Sequence, residues 1–259
     1  MHALLFIFLL TAGASVGFLS GLLGIGGGIV MFPLLLYVPP LLGLGSIGVK
    51  SITGLTMIQG FFAALSAMFF YHKHNLVSKS LVYTIGLSLF ASSLIGALLS
   101  KAVPDKPLLF VFGALALAAS VMMLIPRSYA KDELTEDKVS FHKGTAVSIG
   151  AVLGILLGLV GQGGAFILIP TMLYVLKIPL RVAVGSMLAI GLFSSTAGLA
   201  GKIATNQVPF LLALPMVLGA VPLATVGSFV GKRTKTRYLK WVLAAIICVT
   251  AIKVLTDIF

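Results

Sequence analysis

Charge is what this chain has least of. Only 9% of its 259 residues are Asp, Glu, Lys or Arg, and six of them are acidic. Soluble domains carry about 25% charged residues, so this chain cannot cover a water-facing surface. None of the six carboxylates falls inside a long apolar run. Asp105 is in a short loop, Asp257 is near the C-terminus, and Asp132, Glu133, Glu136 and Asp137 share one polar stretch. Cation carriers and proton relays usually need an intramembrane carboxylate, so this distribution argues against metal or sodium substrates and against carboxylate-mediated proton coupling. A single cysteine, Cys248, excludes an intrachain disulfide or a cysteine metal centre. His72 and His74 flank Lys73, while His2 and His142 are distant, so neither a metal site nor any other cofactor is expected. No catalytic constellation points to an enzyme.

Hydrophobic residues make up 59% of the chain. Hydrocarbon is therefore its solvent, and a polytopic membrane protein follows. The first apolar run, 3–23, lacks a basic n-region and an A-x-A-like site, so it reads as the first span rather than a cleavable signal peptide. The net charge of +12 does not indicate nucleic acid, because the Lys and Arg residues sit between apolar runs, where they orient the protein and meet lipid headgroups.

Apolar runs between breakers number five per half: 3–23, 29–42, 47–71, 79–100 and 107–126, then 145–161, 165–176, 182–203, 208–230 and 239–256. The chain divides into a first membrane repeat (1–126), a polar linker (127–143) and a second repeat (144–259). The second run of each half is too short for a straight crossing of a roughly 30 Å core, which leaves ten segments or eight spans with two re-entrant pieces. Ten crossings place 13 of the 18 basic residues on one side and five on the other, whereas eight spans divide them 8 to 10. The positive-inside bias favours ten, with the linker cytoplasmic. The expected fold is all-α, with two inverted repeats of about five helical segments each and Gly/Pro-broken helices at the centre. Lys50 and Lys202, at the ends of long runs on the outer face, are expected to snorkel.

The repeat is explicit. Residues 13–37, GASVGFLSGLLGIGGGIVMFPLLLY, align without a gap on 150–174, GAVLGILLGLVGQGGAFILIPTMLY, with 12 of 25 positions identical. Gly13, Gly17 and Gly21, like Gly150, Gly154 and Gly158, have the spacing that lets a neighbouring helix approach closely. The following Gly24-Ile25-Gly26-Gly27-Gly28 and Gly161-Gln162-Gly163-Gly164-Ala165 are poor helix formers, at about 1 kcal/mol per Gly relative to Ala. Each should open the helix and aim the N-terminus of the next one at the break, with Pro33 and Pro170 near its first turn. Two such N-termini brought together by inverted repeats make an anion site without a charged side chain. Candidate substrate contacts are the backbone of Gly26, Gly27, Gly28, Gly163 and Gly164, and the side chains of Ser51, Gln59, Gln162, Ser186 and Ser194. Gln162 is the strongest individual choice, being an amide inside the break. Most other Ser and Thr side chains in spans should bond their own helix or a neighbour.

The duplicated G-x-x-x-G-x-x-G-x-G-G-G/A…P pattern, at 17–33 and 154–170, resembles the TauE/SafE family of sulfite exporters. So does the Ala183-Val184-Gly185-Ser186 segment. The resemblance covers essentially the whole chain. It implies a multi-pass permease of the bacterial inner membrane for a small anion, sulfite or an organosulfonate, with a coupling ion that is not specified. Two departures bear on cargo: Gln162 stands opposite Ile25, and Lys50 opposite Gly185. The rival readings are a non-transporting membrane scaffold or assembly subunit, and a cation or metal permease.

Overall fold

A computed structural model describes residues 3–24, 27–72, 78–125, 141–161, 165–234 and 236–258. Ten α-helices run through them: α1 (Ala3–Leu23), α2 (Gly28–Leu41), α3 (Val49–His72), α4 (Lys79–Leu99), α5 (Asp105–Leu124), α6 (Lys143–Val160), α7 (Ala165–Tyr174), α8 (Leu180–Ala204), α9 (Phe210–Arg233) and α10 (Thr236–Ile258). There are no strands among the described residues, and each helix coincides with one apolar run to within about three residues at either end, the usual uncertainty of such boundaries. Six helices are long and apolar enough to cross a membrane. Large apolar side chains such as Leu211, Leu218, Trp241 and Val249 face outward, as hydrocarbon-exposed surfaces require. Most of the polar linker, 127–140, lies outside the described residues; His142 follows it and accepts the Thr145 N–H at the start of α6 (3.2 Å).

Glycine determines how the long helices meet. Gly13, Gly17 and Gly21 of α1 press directly against the backbone at Met216, Ala220 and Ala224 of α9. In the second half, Gly150 and Gly154 of α6 meet the Ser88 and Ser92 side chains of α4, and Gly158 presses against its backbone at Ser93. A Cβ at Gly17 would overlap the Ala220 backbone, which cannot swing aside as a side-chain tip can. Gly17→Leu is therefore expected to wedge α1 from α9 at a cost of at least about 3 kcal/mol, read as a fall in the thermal unfolding midpoint of the detergent-solubilised protein. An unchanged midpoint would contradict this packing.

These contacts also set the direction of each helix. Successive residues pair in ascending order between α1 and α9 and between α6 and α4, so both pairs are parallel. α3 is parallel to α9, since Gly54 packs at Gln207 and Ser66 bonds the Val221 carbonyl further on. α4 is parallel to α8, since Gly86 meets Phe193 and Ala97 meets Gly201. α3 and α8 are antiparallel, with Thr53 at Lys202 and Met57 at Gly198. Because α1 and α3 point the same way, the chain between them, including the short α2, carries back across the thickness of the bundle. The same holds for α7 between α6 and α8. Helices at equivalent positions of the two halves, α1 with α6 and α3 with α8, run in opposite senses.

The partnerships repeat on exchanging halves. The α1–α9 pair mirrors α6–α4, α3–α9 mirrors α8–α4, α2–α10 mirrors α7–α5, and α3–α8 and α5–α10 join the halves. The short helices meet through one side chain. Phe112 of α5 stacks on Phe32 of α2 at 4.5 Å between centroids and lies 6.1 Å from Phe166 of α7.

Candidate functional site

Both helices break where glycine was concentrated. α1 ends at Leu23, Gly24 takes a left-handed φ of 69°, and Gly27, at φ 75°, is the N-cap of α2. α6 ends in Gly161 at φ 70°, and α7 begins at Ala165. Left-handed φ values suit glycine because it has no Cβ to clash. Ile25, Gly26, Gln162, Gly163 and Gly164, four of them candidate or motif positions, lie outside the described residues. Pro33 and Pro170 fall one turn later than anticipated. Each is the sixth residue of its helix, so the Ile29 and Phe166 carbonyls lose their usual intrahelical N–H.

Both breaks rest on the same central helix. Gly161 packs against the Thr53 backbone of α3, and its carbonyl accepts the Thr56 hydroxyl at 2.7 Å. Gly27, three residues further along α3, sits between Val16 of α1 and Gln59: a Cβ there would stand 3.2 Å from both Gln59 amide atoms. Gly24 leans on Val184 of α8. Thus the first break touches helices of both halves, and the second lies against the middle helix of the opposite half.

The polar side chains here divide sharply. Gln59 is fully buried, and neither Oε1 nor Nε2 has a hydrogen-bond partner. Ser20, one turn after Val16 on the same face of α1, is also fully buried with an unpartnered hydroxyl. Among the described residues no other buried side-chain nitrogen or oxygen lacks a partner. Gly27, the N-cap of α2, has no side chain of its own with which to cap that helix. An unsatisfied buried polar group costs about 1–3 kcal/mol, and such groups are uncommon enough that each needs a reason. Gln59 stands beside the positive end of α2, at Gly27.

Two of the three candidate serines are hydrogen-bonded within the fold. Ser186 accepts the Ser78 N–H at 2.9 Å, anchoring the entry to α4. Ser194 lies in the α4–α8 seam, where its hydroxyl reaches Ser93 Oγ at 3.3 Å and its carbonyl accepts from Ser93 at 3.1 Å. Ser51 is half-buried in the first turn of α3, short of the breaks. Thr196 bonds its own helix at Leu192 (2.6 Å), as most span hydroxyls do.

Lys202 corrects the sequence reading outright. It does not snorkel: it is wholly buried, and its ammonium donates to Ser100 Oγ (2.7 Å), Thr53 Oγ1 (2.9 Å), Gln207 Oε1 (2.9 Å) and the Leu159 carbonyl (3.2 Å). Lys50, half-buried, donates to the Lys101 carbonyl at 2.7 Å. Ser20 and the Lys202 cluster went unread because neither has a distinguishing spacing. The one available signal for Lys202 was Gln207 five residues on, a polar residue next to the end of an apolar run.

Comparison with known proteins agrees with this architecture. A family model described as Sulfite exporter TauE/SafE matches residues 9–254. Similar chains include the probable membrane transporter protein YunE of Bacillus subtilis, 25% identical over 93% of this chain and 94% of its own length. A probable membrane transporter protein of Methanocaldococcus jannaschii is 26% identical over 92% of this chain and 91% of its own. Another from Xylella fastidiosa is 28% identical, covering 86% and 83% respectively. No solved structure matches.

Proposed function

The chain belongs to the sulfite exporter TauE/SafE family, and from that premise we propose that this membrane transporter is a secondary carrier of small sulfur-containing oxyanions, sulfite or an organosulfonate, working by alternating access around its two breaks. One observation carries the reading. Gln59, one of the two buried polar side chains without partners among the described residues, stands beside the N-terminus of α2. A neutral amide, a hydroxyl and helix-terminal N–H groups can surround an oxyanion without any fixed negative charge to repel it. Gln59 supplies two donors, and its carbonyl accepts from any protonated oxygen of the ligand.

In this reading the substrate lies between the breaks, contacting the backbone of Gly26, Gly27, Gly28, Gly163 and Gly164 and the side chains of Gln59, Gln162 and Ser20. Residues 1–126 and 144–259 are two inverted repeats. The mirrored helix partnerships and the antiparallel course of α3 and α8 support this. Rocking one repeat against the other would expose the shared site to each side in turn. The charge distribution supports a cytoplasmic linker at 127–143, in an inner membrane, with the Lys50–Lys202 end outward.

Purified protein in liposomes should move radiolabelled sulfite, sulfoacetate or thiosulfate saturably, each competing with the others. Absence of flux for all three, in protein that is folded by its unfolding transition, would favour the scaffold reading instead.

A further inference from the structure

The hydrogen bonds of the buried Lys202 ammonium do not by themselves require a charged donor. It lies where α3, α4, the end of α6 and the α8–α9 turn meet, drawing on both halves. Every partner is a neutral oxygen, and among the described residues it makes no ion pair. Lys50 adds a second positive charge nearby. A buried charge without a counter-ion is costly in a protein interior and more so within a membrane, and such residues there mark transport pathways.

Its position links it to the second break. Leu159 O, which accepts from the ammonium, is two residues before Gly161. Thr53, which also accepts from it, provides the backbone on which Gly161 rests. The ammonium thus sits behind the second break, against the carbonyl end of α6, where it offsets the negative end of that helix dipole. Four acceptors occupy its three hydrogens, so it does not reach into the break. Its influence there is through its field.

We propose that Lys202 is the fixed counter-charge of the transported anion: a buried ammonium that selects ligands by charge without touching them. This rests on the anion-carrier reading of the same site. At an effective dielectric of about 20, a unit charge acting over roughly 10 Å is worth on the order of tenfold in affinity for each unit of ligand charge. A dianion therefore gains about the square of what a monoanion gains.

The test measures the affinity of purified protein for sulfate, a dianion, and methanesulfonate, a monoanion of similar size. Wild type is expected to prefer sulfate. Lys202→Met should weaken methanesulfonate about tenfold and sulfate about a hundredfold, while Lys202→Arg, which keeps the charge, should preserve the ratio. A structural role would lower the unfolding midpoint and leave the ratio alone. An unchanged ratio in Lys202→Met overturns this inference while leaving the carrier reading intact. Should that variant fail to fold, wild type still decides, since no preference for the dianion also overturns the inference. Binding of neither probe by wild type overturns both.

Discussion

Gln59→Met should abolish most oxyanion binding while leaving the protein at least as stable as before. The two side chains have similar length and volume, so the packing against Gly27 is retained. What changes is the amide. Its oxygen and nitrogen are buried without partners, which costs about 1–3 kcal/mol that an apolar replacement does not incur. The unfolding midpoint should therefore hold or rise. Binding should fall, because the ligand loses hydrogen bonds of the charge-assisted kind, each worth roughly 1.5–3 kcal/mol, or at least tenfold in affinity. A residue kept for structure would show the opposite pairing, with stability lost and affinity unchanged. Titration with sulfite, followed beside thermal unfolding, separates the two. A variant that binds as well as wild type would remove Gln59 from the site.

Gly161→Ala should be severely disruptive, because the position combines a left-handed backbone with close approach to another helix. The residue has φ 70° as the C-cap of α6, a conformation that costs an L-residue about 1 kcal/mol. More important, the added Cβ would overlap the Thr53 backbone of α3. Relief requires α6 and α3 to part, which pulls on the Thr56–Gly161 hydrogen bond and on the Leu159 carbonyl that holds Lys202. Both stability and transport should drop severely. Gly43 provides the control. Its φ of 68° is just as unfavourable for alanine, but nothing lies within 4 Å of the new atom. Gly43→Ala should therefore cost only the backbone term, about 1 kcal/mol, with transport preserved. Equal effects of the two substitutions in unfolding and flux assays would refute the close approach of α6 to α3.

The contrast between these residues shows which information was local. The helix breaks at 24–27 and at 161 were legible because glycine acts on its own stretch of backbone, whatever surrounds it. The contact role of Gly13, Gly17 and Gly21 was legible for a related reason: regular spacing puts small residues on one face of a helix. Gln59 could be placed in a span and matched to Ser194 by the repeat. That its amide would be left unpartnered beside Gly27 depends on where α3 lies relative to α2, which no spacing records. Ser186 could be placed in a span in the same way, and its bond from the Ser78 N–H depends on where α4 begins beside α8. Pro33 fell in the second turn because the break consumes fewer residues than the run of glycines suggested.

By itself the sequence determined that this protein lives in a membrane, that it has ten apolar segments in two related halves, and that each half is broken at the same point. Those properties follow from hydrophobic run length and from glycine's effect on its own backbone. The tertiary structure alone decided that both breaks meet on α3 and that Lys202 is enclosed rather than exposed. Each of these depends on oxygens and ring faces supplied by helices distant in the chain. The Lys202 ammonium is bound by groups as far away as Thr53 in sequence, and such an enclosure exists only once the two halves have packed.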